Sequence, residues 1–410
     1  MDEAEETTST VDFDVSVVLP AGGCGERFGC DLPKQYSLLI DQPVILHTIK
    51  AFHRITWIKR IAVVVNAKFL SYMDQLVLDN KLDKVVVVKG CTTRHRSIYA
   101  GVKILSKDVD MSSVVIIHDA VRPFIDEKVI QKIAVYARSF GAAGVTRPLV
   151  STVISADDEG LLRESLDRSR YCASEMPQGF QLSVIKTAYE KSDDHDFDYG
   201  TECLLLAMKY TGTRAKLFTG PDNLWKVTYR KDLYAAEAIV KEQNVTIQVH
   251  FTSCQVNKDL KEAIFSKCRS KSLVVKENTS LESVICNSVV FIYSNFSTSA
   301  IFKNTKCVQT SAVDSDITMT TPLRSCVVHV YDGNLLDKDD IFMFMKTVSE
   351  AMENIPDILI FGILHFNVGD YNKLSDMVSS LVWNRDPTMC GQTFVIHKSK
   401  NKTHKNSEIQ

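Results

Sequence analysis

Four short runs of apolar and β-branched residues punctuate the amino-terminal third of the chain: VSVVLP (15–20), IAVVVN (61–66), KVVVVKG (84–90) and SVVIIHDAV (113–121). Segments of helical periodicity lie between them, near 43–55, 69–80 and 94–105. Strands this short and this uniformly apolar have no polar face to turn to water, so both of their faces must be covered. Few folds satisfy that demand. The pattern predicts βαβ units on a mostly parallel sheet, with right-handed crossovers and helices on both sides.

The pattern changes between Val145 and Gln178. There apolar and polar residues alternate around an acidic turn at 157–160, which predicts a β-hairpin arm. Such an arm is marginal unless something packs on it, so a homodimer is expected. Helical segments at 182–192 and 201–211, a strand at 215–220 and a helix at 230–243 close a first domain, 13–243. A second, smaller α/β domain spans 244–398. The acidic residues 1–12 and the basic tail 399–410 read as disordered. No glycine lies between Gly220 and Gly333, so the early strands of the second domain lack the turn that a dinucleotide requires.

Composition sets outer bounds. The 410 residues carry a net charge of −2, which gives no general attraction to nucleic acid or anionic membrane; any anion site must be local. No apolar run approaches membrane-spanning length. The eleven cysteines contain no C-x-x-C pair, which argues against a zinc site. With a polar, acidic start in place of a targeting peptide, the expectation is a cytosolic protein with reduced thiols. The sequons at Asn244, Asn278, Asn295 and Asn401 would then stay unmodified.

The first apolar run ends in PAGGCGERFGCDLPKQY (20–36). A loop at the carboxyl edge of a buried strand sits where α/β sheets bind ligands. Glycines there let backbone N–H groups converge on an anion. Arg27 supplies a planar fork and Lys34 a point charge. The loop is not a phosphate-binding G-x-x-x-x-G-K-[ST] motif, but a triphosphate is the kind of ligand that needs these features together.

Taken whole, that stretch resembles the signature loop of the 2-C-methyl-D-erythritol 4-phosphate cytidylyltransferase family, a Rossmann-like nucleotidyltransferase fold. GCTTRHRSIYAGV (90–102), IIHDAVRPF (116–124), LDRSRY (166–171) and PDNLWKVTYRKDLYAAE (221–237) are similar, in order, to its further motifs. The resemblance covers about residues 13–243 and implies transfer of a cytidylyl group from CTP to a polyol phosphate, with Mg²⁺ as cofactor and pyrophosphate released. The extra carboxyl-terminal domain is similar to that of animal relatives that make CDP-ribitol for protein O-mannosyl glycans. Methylerythritol phosphate is the alternative acceptor, and a silent nucleotide-binding regulator the alternative role.

Carried over by motif, Arg27, Lys34 and Lys226 are the catalytic cations. Ala21, Gly22, Gly23, Gly25, Gly90, Thr92, Arg94, Ser97, Asp119 and Ala120 are implied to bind CTP. Arg122, Thr152 and Arg168 are implied to hold the acceptor phosphate. Lys226 sits in a motif one residue longer than the family's, so a solvent-facing lysine is its other reading. Asp119 could orient the ribose, bind Mg²⁺ or cap a helix, and Asp222 could be a second metal carboxylate or a turn former. His118 reads as structural. Ser151 stands where the family's arm is acidic, which favours a ribitol chain over methylerythritol.

Overall fold

The computed structural model describes residues 10–23, 32–107, 109–252, 257–276, 286–314, 323–355, 358–366 and 370–396. The expected disordered tail, and all but the last three residues of the expected disordered amino terminus, lie outside them. The chain forms two compact units, 1–234 and 235–410, with the division inside a helix.

The first unit runs β1 (Val15–Ala21), β2 (Leu38–Leu39), β3 (Gln42–Pro43), α1 (Val44–His53), β4 (Ile58–Val65), α2 (Leu70–Asp79), β5 (Val85–Lys89), α3 (Arg94–Leu105), β6 (Val114–Ile117), α4 (Glu127–Phe140), β7 (Ala142–Pro148), β8 (Val153–Ala156), β9 (Leu162–Leu166), β10 (Cys172–Gln181), α5 (Leu182–Lys191), α6 (Asp194–Tyr199), α7 (Cys203–Thr211), β11 (Lys216–Thr219) and α8 (Arg230–Asn244). Its sheet has the order β11-β7-β10-β6-β1-β4-β5. All neighbours are parallel except β10, which is antiparallel to both β6 and β7. The expected α/β class and mostly parallel sheet are borne out.

Alternation along β1 shows why both faces had to be apolar. Val17, Leu19 and Ala21 enter one core layer, with Ile45 and Ile49 of α1 and Ile133 of α4. Val18 points the other way, into a layer with Ile98 and Val102 of α3 and Ile185 of α5. Each such fully buried aliphatic side chain contributes roughly 1.5–3 kcal/mol. Gly101 lets α3 come down onto the sheet: a Cβ there would lie 2.7 Å from Val18 Cγ1.

The expected arm is narrower than its sequence pattern. Its flanks, β7 and β10, pair with each other inside the main sheet, and only β8 and β9 form a separate two-stranded hairpin. Residues 145–148 and 172–178 lie in the antiparallel pairing of β7 with β10 inside the main sheet.

The second unit runs β12 (Thr246–Phe251), α9 (Lys258–Ser270), β13 (Val274–Lys276), β14 (Ser288–Tyr293), α10 (Thr298–Asp314), β15 (Ser325–Asp332), α11 (Lys338–Asn354), β16 (Ile358–His365), α12 (Asn372–Asn384) and β17 (Thr393–Ile396). Its six-stranded sheet, β13-β12-β14-β15-β16-β17, is parallel throughout.

Candidate active site

A cavity of about 470 Å³ opens at the carboxyl ends of β1 and β6. Its lining comes from the end of β1 (Ala21 to Gly23), the start of α3, the turn after β6 (Asp119 to Val121) and the segment carrying Lys226 and Thr228. Two local devices shape it. Buried Gln35 donates through Nε2 to the carbonyls of Ala21 (2.8 Å) and Gly23 (2.9 Å), which anchors the end of β1 where the glycine-rich stretch begins. Thr93 accepts from Arg96 N at 3.4 Å and so starts α3, whose amino end borders the cavity and favours anions.

Charge converges on Asp119, which is 5% exposed. Its Oδ1 accepts from Arg94 Nη2 at 3.3 Å, and its Oδ2 pairs with Arg122 Nε at 3.0 Å and Lys226 Nζ at 3.1 Å. Burial alone would push this carboxyl up. The charges of Lys226, Arg94 and Arg122 outweigh it and hold the group far below the usual carboxylate range. Lys34 Nζ donates to Val227 O at 3.0 Å, and Val227 N donates to Val121 O, also at 3.0 Å. The Lys226 segment is thereby pinned between the β1 loop and the turn after β6.

Arg122 stands behind this cluster. It is buried, its Nη1 donates to Glu175 Oε2 and to Leu224 O, and its Nε is held by Asp119. Glu175 also pairs with Arg147 through Oε1 at 2.9 Å. A line of alternating charge therefore runs from Arg147 and Glu175, at the base of the hairpin, through Arg122 to Asp119. Arg122, read from the sequence as a ligand of the acceptor phosphate, is absent from the cavity lining, and its Nε and Nη1 donate to protein groups.

The other sequence-derived residues fall into three sets. Ala21, Gly22, Gly23, Lys34, Thr92, Arg94, Ser97, Asp119, Ala120 and Lys226 all line the cavity. Arg27 and Gly25 lie outside the described residues. The rest are elsewhere. Gly90 sits below the rim, where its N–H donates to Val65 O at 2.7 Å and a Cβ would come within 3.0 Å of that oxygen. Arg168 and Thr152 are exposed near the hairpin, with Arg168 Nη1 on Val150 O at 2.6 Å.

Asp222 is exposed and is not among the cavity's lining residues, so the structure does not pair it with Asp119. Asp119 is the one carboxylate among the described lining residues. Mg²⁺ is commonly held by one or two carboxylates plus substrate phosphates, and Asp119, whose two oxygens here pair with Arg94, Arg122 and Lys226, is the described lining residue that could hold it.

Gln35, Thr93, Thr228 and Glu175 join the site in addition to the motif residues. Gln35 follows Lys34 directly and could have been found by asking what holds a glycine turn. Glu175, a single carboxylate in a strand, carries no local signal. His118 is structural as expected: burial lowers its pKa to about 4, and its Nε2 lies 3.1 Å from Arg122 O.

Residues 15–242 match the model of the 2-C-methyl-D-erythritol 4-phosphate cytidylyltransferase (IspD) family. The chain is 38% identical to the D-ribitol-5-phosphate cytidylyltransferase of Xenopus tropicalis, across 93% of this chain and 97% of that protein. It is 36% identical to the protein of the same name from Homo sapiens, across 93% and 90%. The 2-C-methyl-D-erythritol 4-phosphate cytidylyltransferase of Halalkalibacterium halodurans is 32% identical, across 56% of this chain and 99% of that protein.

Proposed function

The chain belongs to the 2-C-methyl-D-erythritol 4-phosphate cytidylyltransferase family and is a cytidylyltransferase; from that premise we propose that it transfers the cytidylyl group of CTP to D-ribitol 5-phosphate, giving CDP-ribitol and pyrophosphate. One observation carries the choice of acceptor. Similarity to proteins named for ribitol 5-phosphate extends over 93% of the chain, whereas the methylerythritol phosphate enzymes match 56% of it. Ser151 in place of an acidic arm residue points the same way.

In this reading an oxygen of the acceptor phosphate attacks the α-phosphorus of CTP in line. The new O–P bond forms as the bond to the β-phosphate oxygen breaks, and pyrophosphate leaves with that electron pair. The attacking oxygen is already anionic, so no general base is required. The barrier lies in bringing two anions together, and positioned cations lower it. Lys34, Arg94 and Lys226 line the cleft for that task, and motif position adds Arg27. The glycine turn and the amino end of α3 offer backbone N–H groups to phosphate or base. Asp119 would hold Mg²⁺ together with phosphate oxygens; bound there, the ion would neutralise charge on the triphosphate. Glu175 and Arg122 keep Asp119 in place.

Thr152 and Arg168, away from this cleft, would serve the acceptor site of a second copy across the hairpin. Val150 and Leu162, on and beside that hairpin, are 84% and 67% exposed, as a dimer surface requires. A fully active monomer in sedimentation at micromolar concentration would contradict the dimer.

The acceptor is tested by measuring pyrophosphate release from CTP with purified protein and D-ribitol 5-phosphate, D-ribose 5-phosphate or methylerythritol phosphate in turn. Ribitol 5-phosphate should give the highest kcat/KM. Turnover with methylerythritol phosphate alone would overturn the assignment.

A further inference from the structure

The second unit has a cleft that cytidylyl transfer does not use. In its sheet β12 lies between β13 and β14, so the chain leaves β12 on one side and reaches β14 on the other. Open parallel sheets bind their ligands in the crevice beyond the strand ends at such a reversal. A cavity of about 380 Å³ lies there, bounded by Phe251 at the end of β12, Ile292 on β14 and Tyr331 on β15.

The cleft's chemistry is specific. Phe251, Leu260 and Ile292 give it an apolar wall. Asp332 is the one charged side chain among its described lining residues. Its Oδ1 accepts from His365 Nδ1 at 2.7 Å, and His365 is fully buried. Tyr371 packs on that imidazole with ring centroids 5.8 Å apart. Asn257 Nδ2 in turn donates to Tyr371 Oη at 2.6 Å, so the wall is interlocked. Asp332 Oδ2 has no hydrogen-bond partner among the described residues.

The carboxylate is thus oriented by His365 and keeps acceptor capacity on Oδ2. No cation is among the cleft's described lining residues and the β12–α9 connection contains no glycine, which disfavours phosphate. A carboxylate in a cleft also lined by Ser294 and Asn295, with an apolar wall, matches neighbouring hydroxyls carried on a compact neutral body. We propose that this cleft binds a neutral polyhydroxylated molecule through vicinal hydroxyls held by Asp332. That chemistry is shared by the ribose of a nucleoside and by a free pentitol.

The test uses the full-length protein with CTP at saturation, so that the first unit's cleft is filled. Saturation-transfer NMR titrations are run with adenosine and, separately, with ribitol. At least one probe should bind saturably; adenosine alone identifies a nucleoside, ribitol alone a pentitol. Asp332→Asn should weaken that binding about tenfold or more with turnover unchanged. Asn295→Trp, at an exposed position, should block it without touching the His365 pair. The proposal fails if neither probe binds, if CTP abolishes binding of both, or if both variants leave affinity unchanged.

Discussion

Asp119 is held by three cations from three parts of the first unit, and it is not a spare charge. Arg94 and Lys226 reach it from the cavity and Arg122 from behind. Replacing Lys226 with Ala removes a charge from the cleft and should lower kcat by roughly 10²–10³, as deletion of a transition-state donor does; loss of less than threefold in a steady-state assay would exclude Lys226 from the chemistry. Glu175→Gln keeps the shape but leaves Arg122 and Arg147 without their shared anion. It should cost roughly 1.5–3 kcal/mol in urea unfolding and should lower kcat as well, because Arg122 can no longer steady Asp119. Unchanged stability and turnover would show that the buried pair is idle. Most lining residues were legible because they belong to long contiguous motifs. Glu175 was not, since its role depends on which strand it meets.

At the scale of elements, α3 connects fold to site: its body packs on β1 and β4, and its amino end borders the cavity. Gly101→Ala would drive a methyl into Val18, so α3 must lift. Overpacking of this kind costs about 1–3 kcal/mol, and KM for CTP should rise along with the fall in Tm. Wild-type Tm and KM in this variant would refute the close packing. The parallel strands were readable because burial on both faces leaves only apolar runs, and α3 begins at Arg94 and ends at Leu105, where its periodicity placed it. Strand β10 was harder to read. Its sequence, CASEMPQGFQ, is half polar because Glu175 and Gln178 serve buried hydrogen bonds, and polar residues with such partners hide a strand from pattern reading.

For the whole molecule, buried histidines set the acid limit. Burial lowers His47, His95 and His118 in the first unit to about 4, and His329 in the second to about 3. The unfolded chain takes up these protons near pH 6.5 while the folded one refuses them until about 4. Stability should therefore fall as pH drops through that window. Asp119 works in the opposite range: its depressed pKa adds stability that is complete above about 4 and lost only at still lower pH. Urea unfolding at pH 7.5, 6 and 5 measures this, and a flat profile would contradict it. The central claim, that the first unit's cleft receives CTP for attack by a second phosphate, is tested most directly by a crystal structure with CTP bound. The triphosphate should lie against the glycine turn within reach of Lys34 and Lys226, with the nucleoside toward Arg94 and Ser97. A nucleotide bound elsewhere, or a vacant cleft at saturating CTP, would contradict the account.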